Sequence, residues 1–402
     1  MLQRRLGNVR LGVLTSHPIQ YQAPLFRALA QRIDLTVYFA HRATGKDQAE
    51  AGFDIGFDWD TDLTSGFRHV FLENVSRRPG ITRFSGCDTP SIGNVLAADK
   101  VDVLAVYGWH LKSYLQAAKA GRSLGIPVMV RTDSHLDTPR PLMKRGVKAI
   151  IHSLFLRQFD VFLPTGTRSA RYLRHYWVPE SQIHVVPYCI DVEAFTSAAA
   201  HARSERGRLR AEFGAAAGER IVLFVGKLIG LKDIPILIEA VARLSASGKA
   251  IRLLVVGSGP LAGELAAMAN ARSLAASFVG FVNQTRMPAV YAAADVLVLP
   301  SYSETWGLVV NEAFACGLPA IVSDRVGCAP DLIMDGLTGT VVPAGDVEAL
   351  AKALHYWTAV RDGSEMRRAL DQVSVRYSPA NSAEAFLAAA HSAVSDYRVG
   401  TR

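Results

Sequence analysis

The sequence contains 402 residues, of which half are hydrophobic and a fifth are charged. This length suits two or three globular domains with cores of their own, and the composition is ordinary for such a protein. No apolar run reaches the roughly 18 residues that span a bilayer, and no signal-peptide core precedes the first predicted strand, which argues against a membrane-spanning or secreted protein.

The net charge indicates which binding partners to expect, and the cysteines indicate the cellular compartment. A net charge of +8 favours anionic partners, such as phosphorylated small molecules or an anionic membrane surface. We expect no nucleic acid, because the sequence has no zinc-finger, RNP-like or helix-turn-helix phrase. The four cysteines show neither metal-ligand spacing nor the density of a disulfide scaffold. We therefore expect reduced thiols and a cytoplasmic protein.

The chain is predicted to begin with a strand and a polar loop. Residues 9–15 have the apolar pattern of a buried strand, and they run into the loop SHPIQYQ at 16–22, before a helix with proline in its first turn. In doubly wound domains, polar residues at the carboxyl end of a strand face the ligand. We expect His17, Gln20 and Tyr21 at that edge. The alternative is a turn that satisfies its own backbone.

Two later strands also carry polar residues at their carboxyl ends. The predicted strand at 101–107 ends before His110, and the one at 127–130 ends before Arg131 and Asp133. Because parallel strands end at the same edge of a sheet, we expect these side chains to converge on one site. For His110 the alternative is a histidine that only caps the next helix.

Residues 141–159 combine an apolar stripe with basic residues. No acidic residue occurs between Arg140 and Arg157. Such a helix either docks on an anionic membrane surface or packs its stripe in the core with the basic residues in solvent. Docking would make the protein peripheral at the inner membrane face.

Composition also suggests the domain boundaries. We place a first domain at 1–195, a linker at 196–219, a second domain at 220–377 and a last helix at 378–402. The linker is rich in Ala, Arg, Ser and Gly without a clear apolar period, and a strand begins directly after it.

The first strand of the second domain leads into a loop suited to phosphates. Gly226 lets the backbone approach a ligand closely, and Lys227 and Lys232 can neutralise a diphosphate. Two surface lysines on a loop are the alternative. The next turn, with glycines at 257, 259 and 263, departs from G-x-G-x-x-G and has no acidic residue near 279, so a dinucleotide site is a poor fit.

The stretch 295–319 predicts a buried strand, a loop and a helix from about Trp306 to Ala315. Glu304 lies in the loop, and Glu312 lies on the order of 10 Å further along the helix. The free N–H groups of 305–308 form an anion site between them. Since a carboxylate repels a phosphate, the two glutamates should contact hydroxyls on either side of the phosphates, which is the layout of a nucleoside diphosphate-sugar.

These phrases resemble one enzyme family. The spacing Glu304-x7-Glu312, followed by AFACGLP, resembles the E-x7-E signature of retaining glycosyltransferases of family GT4 (glycosyl transferases group 1). GKLIGLK at 226–232 resembles the family's G-R-L-x-x-x-K element, with lysine in place of arginine. FVGFVN at 278–283 resembles the segment that lines the nucleotide base pocket.

The first half of the chain resembles the family less closely. VPYCID at 186–191 resembles the interdomain phrase, but Tyr188-Cys189 replaces the usual Asn-Gly pair. HPIQYQAPLFRAL at 17–29 resembles the N-terminal loop of a subset that acts in surface-polysaccharide assembly, although the Gly-Gly pair of many relatives is missing.

The resemblance implies an α/β fold of the GT-B type, in which two doubly wound Rossmann-like domains face a central cleft and the last helix crosses back to the first domain. It implies transfer of a hexose from a nucleoside diphosphate-sugar to a glycan or lipid-linked acceptor in cell-surface polysaccharide or glycoconjugate biosynthesis, without a metal or other cofactor. Residues 40–100, which show no clear period, would help to shape the acceptor side.

The resemblance also assigns roles. The expected catalytic residues are Glu304, His110 and Lys232. The expected donor-binding residues are Gly226, Lys227, Lys232, Glu304, Thr305, Trp306, Gly307, Leu308 and Glu312. The expected acceptor-side residues are His17, Gln20, Tyr21, Arg131 and Asp133. Two rival functions stay open at this point: a nucleotide-sugar epimerase or hydrolase of the same fold, and a catalytically silent subunit that binds nucleotide-sugar.

Overall fold

The structure, a computed structural model, describes residues 9–49, 52, 54–136, 145–360 and 363–400, without the side chains of 48, 145–149 and 398–400. It divides into two compact units. The first comprises Met1–Asp47, Asp62–Cys189 and Pro379–Arg402, and the second comprises Gln48–Thr61 and Ile190–Ser378. The chain therefore enters the second unit briefly at 48–61, long before its main passage into that unit.

The helices, in chain order, are α1 Ala23–Ala30, α2 Gly45–Gln48, α3 Ile92–Ala98, α4 Lys112–Ser123, α5 Arg145–Leu156, α6 Thr167–His175, α7 Val192–Ser204, α8 Arg206–Glu212, α9 Ile234–Ala246, α10 Ala262–Ala271, α11 Met287–Ala293, α12 Leu308–Ala315, α13 Ala329–Leu332, α14 Val347–Ala359, α15 Ser364–Arg376 and α16 Pro379–Gly400.

The first unit is built on a six-stranded parallel sheet in the order β3-β2-β1-β4-β5-β6. Its strands are β1 Arg10–Thr15, β2 Asp34–Phe39, β3 Arg68–Phe71, β4 Val103–Val106, β5 Val128–Thr132 and β6 Val161–Pro164. Apolar residues fill the central strands almost without interruption, as expected where helices cover both faces. The strand order reverses between β1 and β4, and doubly wound sheets bind ligands at the carboxyl edge of such a switch point.

The second unit repeats this plan in the order β12-β11-β10-β7-β8-β9. Its strands are β7 Arg220–Val225, β8 Ile251–Val256, β9 Ala276–Gly280, β10 Val296–Leu299, β11 Ala320–Ser323 and β12 Gly339–Val342. The order reverses between β7 and β10, so the loops after these two strands lie side by side at the carboxyl edge. The predicted α/β architecture of two doubly wound domains is confirmed.

The last helix packs within the first unit. Side chains of β1 alternate between the two faces of the sheet, since Leu14 lies in one buried cluster with Tyr38 and Val13 lies in the other with Phe26. Phe386 of α16 belongs to the same cluster as Val13 and Phe26. α16 therefore covers one face of the first sheet together with α1.

The stretch 196–219, for which we predicted a linker, lies mostly in α7 and α8. Asp191 caps α7, and its Oδ1 accepts a hydrogen bond from the Ala194 N–H at 3.1 Å. Phe195 and Leu209 are buried, so both helices are part of the second unit. Their apolar residues are separated by many alanines, which is why the sequence shows no clear period there.

Candidate active site

In the second unit, the loop after β7 is held by backbone packing. A Cβ on Gly257, which has a φ of +140°, would overlap the carbonyl oxygen of Gly226. The Gly226 N–H donates to the Val256 carbonyl at 3.0 Å, and the Leu228 N–H donates to the Ser258 carbonyl at 2.8 Å. The loop that carries the two predicted lysines is thus fixed against the turn after β8.

Lys227, Lys232 and Glu304 form one charge cluster. The Lys232 ammonium pairs with Glu304 Oε2, and these side chains are only 16 % and 17 % exposed. Burial and the positive charge of Lys232 lower the pKa of Lys227, whereas Glu304 raises it. The structure thus brings together a lysine pair and a carboxylate from the loops after β7 and β10, with an excess of one positive charge.

Backbone contacts also place Glu304 and the amino end of α12. The Gly327 N–H donates to the Glu304 carbonyl at 2.9 Å, and a Cβ on Gly327 would overlap the Thr305 carbonyl. We predicted a helix from about Trp306, but α12 begins at Leu308, because Gly307 adopts a left-handed conformation with a φ of +100° at the N-cap. This turn aims the first N–H groups of α12 at the same edge as the lysines.

The side chains of residues 305–308, which we predicted to bind the donor, differ in how exposed they are. Thr305 is exposed and Leu308 is partly buried. The Trp306 side chain is 3 % exposed, and its Nε1 donates to Asn311 Oδ1 at 2.8 Å. Trp306 therefore has only its backbone to offer to a donor.

Glu312 is held by α11 and the turn before it. The Tyr291 hydroxyl donates to Glu312 Oε2 at 2.6 Å, and the Gln284 amide donates to Oε1 at 3.4 Å. Burial raises the pKa of Glu312 to about 7, although both hydrogen bonds lower it. Sequence reasoning missed Tyr291 and Gln284, because no motif marks either residue.

Residues 54–60 pack against the FVGFVN segment of the second unit. The rings of Phe57 and Phe281 lie 4.0 Å apart, and the Asn283 amide donates to the Asp58 carbonyl at 2.8 Å. Asp60 accepts hydrogen bonds from the backbone N–H and the hydroxyl of Thr285. The sequence pointed to the acceptor side for the whole region 40–100, but this part belongs to the second unit.

A separate pocket opens at the carboxyl ends of β1, β4 and β5 in the first unit. It measures about 340 Å³, and its lining includes five of the predicted residues: His17, Tyr21, His110, Arg131 and Asp133. Gln20, the other predicted acceptor-side residue, is absent from the lining. Convergence of the loops after three strands is thus observed within one unit.

The two histidines of this pocket are neutral at neutral pH. Ser16 Oγ lies 2.9 Å from His17 Nδ1, and burial, with a smaller effect of His41, lowers the pKa of His17 to about 4. His110 stands at the exposed rim, where partial desolvation lowers its pKa and Asp133 raises it. His110 therefore faces the pocket as an uncharged imidazole.

Arg131 and Asp133 are tied to the segment that departs from the family phrase. The Arg131 guanidinium donates to the carbonyls of Val186 and Pro187, both at 3.1 Å, and lies 5.0 Å from the centre of the Tyr188 ring. The Tyr188 hydroxyl donates to Asp133 Oδ2 at 3.2 Å. Tyr188 also lines the pocket. We did not predict it as a site residue, and the sequence marked it only by the replacement of the family's Asn-Gly pair with Tyr188-Cys189.

The predicted membrane stripe is described only in part. Residues 141–144 lie outside the described residues, as do the side chains of 145–149. In the rest of α5, Ile150, Ile151 and Leu154 are 59 %, 62 % and 55 % exposed, whereas Phe155 packs against the buried cluster that includes Leu156. The described part of the stripe is therefore divided between surface and core. Within the described ranges, no helix is long and apolar enough to cross a membrane, and no group of three or more His, Cys, Asp and Glu residues could hold a metal.

Comparison with known proteins supplies two family matches. Residues 205–373 match the model of glycosyl transferases group 1, and residues 18–189 match the model of the glycosyl transferase 4-like domain. Both halves of the chain therefore match glycosyltransferase models, which supports a glycosyltransferase of the group 1 type. The two matched ranges fall on both units.

Two relatives in this family show how far the likeness extends. The chain is 34 % identical to a D-inositol 3-phosphate glycosyltransferase of Mycobacteroides abscessus over 55 % of this chain and 49 % of that protein. It is 33 % identical to one of Nocardiopsis dassonvillei over 63 % and 62 %. The match thus spans about half the length of most of these curated relatives.

Solved structures of glycosyltransferases share the GT-B fold. A glycosyltransferase from Rickettsia africae matches with a TM-score of 0.74 at 12 % identity, over 96 % of this chain and 99 % of that one. Anabaena HepE in complex with UDP and glucose matches with a TM-score of 0.68 at 16 % identity, over 94 % and 98 %. The predicted GT-B fold is thereby confirmed.

Proposed function

We propose that the chain is a retaining glycosyltransferase of family GT4. It moves a hexose from a nucleoside diphosphate-sugar to a hydroxyl of a glycan or lipid-linked acceptor, in cell-surface polysaccharide or glycoconjugate biosynthesis. The observation that carries the proposal is the cluster of Lys227, Lys232 and Glu304 beside the amino end of α12. Two lysines and free helix N–H groups make an anion site with the charge that a diphosphate needs.

Each group of the cluster has a role in the proposed reaction. Lys227, Lys232 and the N–H groups of 305–308 stabilise the negative charge that develops on the departing diphosphate. Glu304 accepts hydrogen bonds from hydroxyls of the sugar, and Glu312 holds the ribose. Because the lysines neutralise the leaving group, the proposed mechanism needs no metal and no other cofactor.

The bond changes of the proposed transfer balance without a protein nucleophile. The bond between the anomeric carbon and the diphosphate oxygen breaks, and a bond from that carbon to the acceptor oxygen forms on the same face. The acceptor proton passes to the departing phosphate oxygen. His110, as a neutral imidazole, supports the transferred sugar and does not act as the base.

The comparisons support the choice of substrates. HepE was solved with UDP, with UDP-glucose and with UDP and glucose, which supports a nucleotide-sugar donor here. The curated relatives are named for D-inositol 3-phosphate, so a phosphorylated ring is the natural reference compound for the acceptor. We place the reaction in the cytoplasm, and the exposed apolar residues of α5 support peripheral contact with the inner membrane face.

The decisive experiment is a thermal-shift panel of UDP-, GDP- and ADP-sugars on the wild-type chain and on Lys232→Ala. A ligand that binds the folded state raises the melting temperature by mass action. We expect one nucleotide series to stabilise the wild type and to lose that effect in Lys232→Ala. Lys249→Ala removes an exposed lysine from the same unit and should respond as the wild type does.

Turnover assays with and without an acceptor then separate the rival functions. Transfer to an acceptor supports the proposal. Sugar or nucleotide released without any acceptor would indicate an epimerase or hydrolase, and binding without turnover would indicate a silent subunit. A folded Lys232→Ala variant with wild-type transfer would overturn the phosphate assignment.

A further inference from the structure

We propose that the first-unit pocket binds an uncharged, hydroxyl-rich ring, such as a pyranoside or a cyclitol, and that it discriminates against a ring that carries a phosphate. This inference rests on the proposed function, because it names the class of acceptor for that reaction. Its support comes from the size of the pocket, its aromatic lining and the distribution of charge around it.

The size and the aromatic lining suit a single sugar-like ring. About 340 Å³ lies at the lower end of the range for small-molecule sites. The aromatic residues in the lining are Tyr21, Tyr107, Trp109, Tyr114 and Tyr188. Such rings offer apolar faces for the C–H groups of a sugar, while phenol and indole groups can bond hydroxyls. The Tyr107 hydroxyl is buried without a partner among the described residues, so Tyr107 offers the pocket its ring.

The charges in the lining do not suit a phosphate. Among the described residues that line the pocket, Arg131 and Asp133 are the only ones with a guanidinium or a carboxylate, and desolvation lowers the pKa of both His17 and His110. Arg131 is 4 % exposed, and its two terminal nitrogens donate to backbone carbonyls. Among these described residues, a phosphate would therefore meet the Asp133 carboxylate, while the Arg131 guanidinium that could offset its desolvation is held by the carbonyls of Val186 and Pro187.

The second unit shows the opposite arrangement. Lys227 and Lys232 lie together with Glu304 beside the amino end of α12, so two lysines accompany one carboxylate where a diphosphate would bind. Among the described residues, phosphate-binding chemistry is thus concentrated in the second unit, and the first-unit pocket offers hydroxyls, neutral imidazoles and aromatic faces.

The test compares matched rings on the full-length wild-type chain. Saturation-transfer NMR and calorimetry measure binding of myo-inositol against D-myo-inositol 3-phosphate, and of methyl α-glucoside against glucose 6-phosphate. The same uncharged ring linked to a lipid or to an oligosaccharide distinguishes a lipid-linked acceptor from a glycan end. We expect the preferred uncharged ring to bind about tenfold more tightly than its phosphate, because the Asp133 carboxylate repels the phosphate and the Arg131 guanidinium is held by backbone carbonyls.

Three variants tie the preference to the pocket. Asp133→Asn should reduce the difference in affinity between the uncharged ring and its phosphorylated form, because it removes the carboxylate that repels the phosphate. Tyr188→Phe removes only the hydroxyl that donates to Asp133, whereas Tyr188→Ala also removes the aromatic ring. The affinity for the uncharged ring should therefore fall most in Tyr188→Ala. Asp34→Asn removes an exposed carboxylate outside the pocket and should leave the preference unchanged.

Each outcome decides the inference. Tighter binding of the phosphorylated ring, or a preference that survives Asp133→Asn and both Tyr188 variants, would overturn it. If nucleotide-sugar binds in a Lys232-dependent way but no uncharged ring binds, the inference fails and the proposed function stands. If an uncharged ring binds and no nucleotide-sugar does, the proposed function fails instead.

A second inference follows from an independent observation, the docking of residues 54–60. We infer that this segment forms a wall of the donor site at the end that receives the nucleobase. Its contacts with Phe281, Asn283 and Thr285 fall in or next to the segment that resembles the base-pocket lining of the family. A Cβ on Gly52 would lie 3.4 Å from Lys227 Cδ, so the chain also passes beside the phosphate loop.

The chemistry of the segment fits a base-binding wall. Phe57 and Trp59 lie 5.0 Å apart edge to face, and both rings are close to Phe281. Partly exposed aromatic rings can stack on any nucleobase. The hydrogen bonds from Asn283 and Thr285 hold the rings in place, so the segment is a built part of the second unit.

Hydrogen exchange of the peptide 48–61, with and without UDP, tests this inference on the full-length chain. We expect nucleotide to slow exchange in this peptide, and Phe57→Ala to weaken nucleotide binding about fivefold through lost stacking. Phe84→Ala removes an exposed phenylalanine from the first unit and should bind as the wild type does. Lys232-dependent nucleotide binding with unchanged exchange at 48–61 and wild-type affinity in Phe57→Ala would overturn the inference without touching the proposed function.

Discussion

The Tyr291 hydroxyl donates a hydrogen bond of 2.6 Å to Glu312, so the carboxyl proposed to hold the donor ribose is itself positioned by α11. This hydrogen bond gives the buried carboxyl group of Glu312 a polar partner in place of water. It also makes Glu312 the titrating group with the clearest consequence for the second unit.

The first prediction concerns pH and Glu312. Burial raises its pKa from the usual 4.5 to about 7, against the two hydrogen bonds that lower it. Between pH 4.5 and pH 7 the folded state binds more protons than the unfolded state, so the contribution of Glu312 to the free energy of unfolding falls as pH rises. Above pH 7 the folded protein bears the full cost of a buried, ionised carboxylate. Glu312→Gln should therefore stabilise the protein at pH 8 on the order of 2 kcal/mol and change it little at pH 4. Urea unfolding at both pH values, with Glu264→Gln as an exposed control, measures the difference, and an equal effect at the two pH values would contradict it.

The second prediction concerns the pair Lys232 and Glu304. Glu304→Ala and Lys232→Ala should each reduce transfer by about 100-fold, because each removes a group that contacts the donor in the transition state. Each should cost about 1 kcal/mol of stability, because the remaining partner is partly buried without its counter-charge. The double variant should recover most of that stability but none of the transfer. Kinetics and urea unfolding of all four proteins form a double-mutant cycle, and strictly additive stability losses would count against the pairing.

The third prediction concerns Asp233, the N-cap of α9. It adopts a left-handed conformation with a φ of +47°, and its Oδ2 is buried without a partner among the described residues. Burial raises its pKa, and a hydrogen bond with Tyr302 lowers it. Asp233→Gly should stabilise the protein by about 1 kcal/mol, because glycine adopts this conformation without strain and removes the buried carboxyl. Asp233→Ala removes the carboxyl but keeps the strain, so it should gain less. Melting temperatures of the two variants compare them, and a larger gain for alanine would show that backbone strain is not the cause.

The fourth prediction concerns Gly257 and Gly263, which lie six positions apart in the sequence. Gly257→Ala should destabilise the protein by about 3 kcal/mol or more, because the new Cβ would overlap the Gly226 carbonyl at a φ of +140°. Gly263→Ala, in the first turn of α10, meets open space and should stabilise the helix by about 0.5–1 kcal/mol. Chemical denaturation of both variants checks the contrast, which would be contradicted by similar effects of the same sign.

Much of the fold was predictable because its signals are local. Apolar runs of strand length, such as 296–299, and glycine or proline at their ends predicted strands and helices in an order that allows two doubly wound domains. The loops after those strands had to reach the carboxyl edge, so His110, Arg131 and Asp133 could be expected together, and the structure does bring them together. Gln20 was expected there as well, but it does not line the pocket.

The sequence by itself determined the order of strands and helices, the loops that carry Lys227, Lys232 and Glu304, and the resemblance to a family. Only the tertiary structure decided that Lys232 pairs with Glu304, that Trp306 turns inward to Asn311, and that Tyr291 holds Glu312. It alone also assigned residues 48–61 to the second unit. The reason is physical: periodicity and turn chemistry act over a few residues, whereas these contacts join residues whose meeting depends on how whole helices and loops pack.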